Sequence, residues 1–121
     1  MKKLFILLAC IAISCGKPLP QFENIDLAKW KNDKNGCQGE RLKMLGPLKE
    51  QKEKLKGLSE NEILKLLGRP DRNELYKRNQ KFYEYFIEPG GDCQKDSTRL
   101  ILSIRFNAVG LAKEVIFVSI D

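Results

Sequence analysis

An α+β domain, with N-terminal helices packed on one face of a three- to four-stranded antiparallel sheet, is what this 121-residue sequence predicts. Two observations carry that expectation. Helix patterning and helix punctuation are confined to the region before Pro70, and beyond it strand alternation runs to the end without a helical interruption.

The elements follow in order. Residues 22–33 contain Phe22, Ile25, Leu27 and Trp30, the sole tryptophan, expected to pack on the domain. Asn32-Asp33-Lys34-Asn35-Gly36 is a turn cluster. Residues 41–56 read as helical, with Leu42, Leu45, Leu48 and Leu55 as a broken apolar stripe and Pro47 opening a second helical piece. Within the charged run 49–54, Lys49 with Glu53 and Glu50 with Lys54 have i,i+4 spacing, which favours a solvated helix face over a membrane-surface patch. Ser59-Glu60-Asn61-Glu62 is a capping box. Ile63, Leu64, Leu66 and Leu67 follow it, and Gly68 with Pro70 ends the helix.

Residues 72–77 read as a strand and Arg78-Asn79 as a turn. Residues 81–87 form a second strand with Tyr83, Tyr85 and Ile87 on one face. Residues 88–98 are a loop opened by Pro89-Gly90-Gly91. Leu100, Leu102, Ile104 and Phe106 then alternate with Ile101, Ser103 and Arg105, the pattern of a half-buried strand. Asn107-Ala108-Val109-Gly110 is a hairpin turn, and residues 112–120 form the last strand. Successive side chains point to opposite faces. If the Tyr83 and Leu102 faces turn inward, Phe82, Phe86 and Ile101 point outward. If the last strand buries Ile116, Val118 and Ile120, then Val115 and Phe117 join them. Those five residues are the candidate partner-binding patch. The competing expectation is that the segment around Phe22, Leu27 and Trp30 covers it.

The N-terminus carries a separate signal. Lys2 and Lys3 precede an apolar run over residues 4–14, which as a helix would span roughly 16 Å, half of a ~30 Å hydrocarbon core. That suits the apolar part of a cleavable export signal rather than a membrane span. Ala12-Ile13-Ser14-Cys15-Gly16 then resembles the lipobox of bacterial lipoproteins, in which the cysteine becomes the acylated (palmitate-bearing) N-terminus. Leu7-Leu8-Ala9-Cys10 fits that pattern better, having Leu7 where the other has Ala12, but leaves too short an apolar run, so Cys15 is the expected lipidation site. The resulting plan is a signal peptide over 1–14, a proline-containing tether over 15–21 and a single α+β domain over 22–121.

Composition narrows the chemistry. The formal charge is +6, and removal of Lys2 and Lys3 leaves 20 basic against 16 acidic residues, or +4. That mild excess suits solubility and weak attraction to anionic lipid, not nucleic-acid binding. Histidine is absent, which excludes Ser-His and Cys-His nucleophile pairs and removes the commonest metal ligand. Zinc would have only Cys37, Cys93 and carboxylates, without CxxC spacing. Gly90-Gly91 is not a phosphate loop. Glu84 and Glu88 have the chemistry of a glycosidase pair but read as solvent-facing strand residues. The expectation is a non-enzyme with no metal and no cofactor. After processing, Cys37 and Cys93 are the only thiols, and an oxidising compartment would join them as a disulfide.

Leu66-Leu67-Gly68-Arg69-Pro70-Asp71, the aromatic Phe82-Tyr83-Glu84-Tyr85, and Leu102-Ser103-Ile104-Arg105-Phe106-Asn107 with Gly110 and Val115 occur in an order similar to that of the BamE/SmpA-type small outer-membrane lipoproteins and the wider β-lactamase-inhibitor-protein-like group. The resemblance covers residues 58–117. The long segment 22–57 and the enlarged loop carrying Cys93 depart from it. It implies a lipid-anchored module at the outer membrane, facing the periplasm. Such a module would act by contact with an envelope protein in outer-membrane protein assembly or envelope integrity. The alternative is a small envelope enzyme or an inhibitor of one.

Overall fold

Side-chain caps start the first and last of the four described helices. The Asp26 carboxylate accepts from the amides of Ala28 and Lys29 (3.1 and 3.2 Å) and so caps α1, Leu27–Asn32, a contribution of about 1 kcal/mol. A 3-10 turn at Lys34–Gly36 leads to α2, Glu40–Lys43, and α3, Leu45–Gln51, continued by a 3-10 turn at Lys52–Leu55. Ser59 and Glu62 exchange both capping-box bonds at the start of α4, Glu60–Leu67. Gly68 ends that helix at φ 78°, a conformation that costs a side-chain-bearing residue free energy. Four antiparallel strands follow in the order β1 (Arg72–Tyr76), β2 (Gln80–Phe86), β3 (Arg99–Phe106) and β4 (Ala112–Ile120). The chain is therefore an α+β fold. These elements come from a computed structural model that describes residues 18–76, 80–88 and 99–120. The expected signal peptide with Cys10 and Cys15, the turn at 78–79, and the part of the 88–98 loop that carries Cys93 lie outside the described residues.

One apolar cluster joins both halves. Trp30, Met44, Leu48, Leu55, Ile63, Leu66 and Leu67 meet Tyr83, Tyr85, Ile87, Leu102, Ile104, Phe106 and Val115. Each such large side chain taken fully from water contributes about 1.5–3 kcal/mol. Phe22 and Leu27 pack against the same cluster, so this segment is a partner of the core and not a cover for the outward Phe82 row.

Several expectations need correction. Of the helical stripe, Leu45, Leu48 and Leu55 join or pack against the core, but Leu42 is 40% exposed, and Arg41 and Met44 are buried beside it. The interruption falls at Met44 and not at Gly46-Pro47, because the Pro47 ring excludes a helical carbonyl at Lys43, four residues earlier. The i,i+4 pairs of the charged run are replaced by other partners. The chain tightens to 3-10 geometry at Lys52, where residues four apart no longer share a face. Lys56 pairs with Glu53 at 2.9 Å, Lys54 donates to the Gln21 carbonyl, and Lys49 lies over the Phe117 ring.

Val115 and Phe117 are a further correction. Arg105 pairs with Glu114 but Phe106 pairs with Ala112, so Lys113 is an extra residue in β4. A bulge of one residue reverses the alternation beyond it. Ala112 and Val115 therefore both face the core, Phe117 packs against it, and Ile116 and Val118 take the opposite face.

Candidate interaction surface and the buried ion pair

The sheet face turned away from the core is a mosaic of apolar side chains and charges, most of them already paired. Cross-strand register sets Arg72 opposite Glu84, Glu74 opposite Phe82, and Phe86 opposite Ile101 with Val118 beyond it. Arg72 Nε donates to Glu84 Oε1 and lies 3.3 Å from Glu74 Oε1. Arg105 and Glu114 approach to 3.7 Å. The guanidinium groups of Arg72 and Arg99 stand over the Phe86 ring at 5.9 and 5.4 Å from its centroid.

Phe82, Phe86 and Ile101 thus lie where alternation placed them, but their accessibility differs. Phe86 and Ile101 are only 6% and 2% exposed, whereas Phe82 and Val118 are half-buried and Ile116 is 37% exposed. The accessible apolar surface is therefore Phe82, Ile116 and Val118. Glu84 is also corrected: it is buried and held by Arg72, not solvent-facing. Accordingly, Phe86→Ser is expected to cost about 3–5 kcal/mol, the range for truncating a buried phenylalanine, measurable by urea denaturation. Ile116→Asp should stay within about 0.5 kcal/mol of wild type.

A second constellation lies between the N-terminal segment and the sheet. Arg41, 1% exposed, donates from Nε to the Trp30 carbonyl (2.9 Å) and from Nη1 to Asp71 Oδ2 (2.5 Å) and the Phe86 carbonyl (3.0 Å). Its guanidinium carbon lies 4.9 Å from the Trp30 ring centroid and 5.9 Å from that of Tyr85. Asp71 also accepts from the amides of Asn35 and Phe86 (2.9 and 2.8 Å). Buried Asp33 accepts from the amides of Gln38 and Arg41 (2.6 and 3.0 Å). The Trp30 indole N–H is buried and finds no partner among the described residues. Close approach is possible because residue 36 is glycine. A Cβ there would sit 2.7 Å from the Phe86 and Ile87 carbonyl oxygens, and its φ of 67° already disfavours a side chain.

Cys37, next in the chain, is disulfide-bonded. The other three cysteines, Cys10, Cys15 and Cys93, lie outside the described residues.

At the far end of α4, Glu60 accepts from Lys81 Nζ (2.8 Å) and Tyr83 Oη (3.0 Å). The Lys81 bond, and behind it the Tyr83 bond, holds the Glu60 carboxyl below its ordinary value against a smaller opposing effect of burial. Its contribution to stability is present above the carboxylate range and is lost as pH falls through the lowered value. Burial, with the Glu60 bond and charge behind it, pushes the Tyr83 phenol up to about 12. Burial and then the neighbouring Tyr83 raise Tyr85 further, and its hydroxyl donates to the Gly68 carbonyl at 2.8 Å. The neutral phenols are thus favoured by folding: the stabilising effect of Tyr83 is intact below pH 10 and is lost between 10 and about 12, and that of Tyr85 persists to higher pH. Alkaline titration followed by tyrosinate absorbance should show Tyr83 ionising near 12 and moving towards 10 in Glu60→Gln.

Among the described residues, no group of three metal-ligating side chains converges, and no helix is long and apolar enough to cross a membrane. The Arg41 cluster escapes sequence reading because its members are 30 and 45 residues apart. The available signal was an arginine in phase with buried Met44 and Leu48. For the bulge, the signal was the opposite charge of Arg105 and Glu114. Comparison of the chain with protein-family models, with curated proteins and with solved structures finds no match.

Proposed function

We propose that the chain is an envelope lipoprotein, anchored through Cys15 at the outer membrane and facing the periplasm. Its folded domain acts as a non-catalytic protein–protein interaction module. The observation that carries the reading is the sheet face of Phe82, Ile116 and Val118, interleaved with the ion-paired Arg72, Glu74, Glu84, Arg105 and Glu114. Apolar side chains interleaved with charges that already satisfy one another can be covered by a partner without stranding a charge, as a protein contact surface requires. The resemblance of residues 58–117 to the BamE/SmpA group supports outer-membrane protein assembly or envelope integrity as the setting.

Photo-crosslinking in the native envelope tests the surface. A crosslinking residue at position 116 should give a discrete adduct that disappears in Val118→Asp, while one at exposed Leu42 gives none. Equal labelling at 116 and 42 rejects this face. The anchor is tested separately by intact mass, which should start at Cys15 with added diacylglycerol. A mature chain beginning elsewhere, or one without lipid, rejects the tether.

A further inference from the structure

A cleft of about 430 Å³ lies between the end of α1 and the segment leaving α4, lined by Lys31, Lys34, Asn35, Gly68, Arg69 and Asp71. Its one carboxylate is saturated from behind: Asp71 accepts from Arg41 Nη1 and from the amides of Asn35 and Phe86. By contrast, Lys31, Lys34 and Arg69 are exposed. Among the described residues their side chains enter no hydrogen bond or ion pair. Cations near the carbonyl ends of α1 and α4 complement those helices, yet three unpaired ones facing a single concavity repel one another. A bound anion would remove that repulsion.

We propose that this cleft binds the phosphate group of a phosphorylated organic ligand. A carboxylate is satisfied by one guanidinium, whereas a phosphate ester carries up to two charges on three free oxygens and matches three separated donors. The volume leaves room for the organic part beside the phosphate. The walls are already fixed by the Asn35–Asp71 and Arg41–Asp71 bonds, so binding requires little ordering of the chain. This site is independent of the sheet face that carries the proposed function.

The phosphate could belong to a soluble ester or to a lipid headgroup, and two arms of one experiment separate them. The full chain in neutral detergent micelles is titrated with glycerol 3-phosphate, and with acetate at matched ionic strength, while backbone amide shifts are followed. A parallel arm measures co-sedimentation with phosphatidylcholine vesicles with and without phosphatidic acid. Saturable shifts at Asn35, Gly68 and Arg69 with the ester, but not with acetate, assign a soluble phosphate ester. A response to phosphatidic acid alone assigns a headgroup. In either case Lys34→Ala with Arg69→Ala should weaken binding at least tenfold with an unchanged melting temperature. The proposal is overturned if neither probe binds, or if Lys43→Ala with Lys65→Ala weakens binding equally.

Discussion

Asp71→Ala is expected to destabilise the domain by about 3–5 kcal/mol, the range for leaving one member of a buried ion pair uncompensated. Arg41 would keep its bonds to the Trp30 and Phe86 carbonyls, but its charge would face no carboxylate on that side. The amides of Asn35 and Phe86 would also lose their acceptor. At roughly 4–8 °C per kcal/mol for a domain of this size, the melting temperature should fall by at least about 12 °C. Arg41→Met with Asp71→Leu, which removes both charges and keeps apolar volume, should recover most of that loss. Thermal unfolding of the three variants decides the point. A double variant as unstable as Asp71→Ala would mean that packing around Trp30, and not the pairing, carries the energy.

Reduction of the Cys37 disulfide is expected to have the second large effect. Gly36 rests on the Phe86 and Ile87 carbonyls, so Cys37 lies near the end of β2, where the loop carrying Cys93 begins. Cys93 is therefore its expected partner. That bridge would close a loop of about 55 residues, worth roughly 4 kcal/mol in the chain-entropy account. Non-reducing peptide mapping should recover Cys37 linked to Cys93, and Cys37→Ser should lower stability by the same amount as dithiothreitol. Linkage of Cys37 to Cys10 or Cys15 would contradict both the pairing and the acylation of Cys15.

What the sequence disclosed was local. Helix α4 could be placed because Ser59, Glu62 and Gly68 act on their immediate neighbours, and the inward row Tyr83, Tyr85, Ile87 follows from strict alternation. The phase of β4 could not, since the extra residue Lys113 is defined only by pairing with β3. The outward patch was consequently half legible: Phe82, Phe86 and Ile101 lie on that face, and Val115 and Phe117 belong to the core. Arg41 illustrates the same limit, because what makes its burial tolerable arrives from residues 71 and 86. Cys37 is disulfide-bonded, as a count of two thiols and an oxidising compartment imply, while Cys93 lies outside the described residues.

That arrangement also imposes an order of assembly. The segment bearing Trp30 and Arg41 leaves the ribosome before the carboxylate of Asp71 and the carbonyl of Phe86 exist. A guanidinium taken out of water without them costs several kcal/mol. The earliest-made part of the domain therefore cannot bury its guanidinium before the helix exit and hairpin that carry Asp71 and Phe86 are in place, and we expect it to dock late. In stopped-flow kinetics Arg41→Met should unfold faster than wild type while folding at the same rate, the signature of contacts formed after the barrier. A matching loss in the folding rate would place this segment in the nucleus instead.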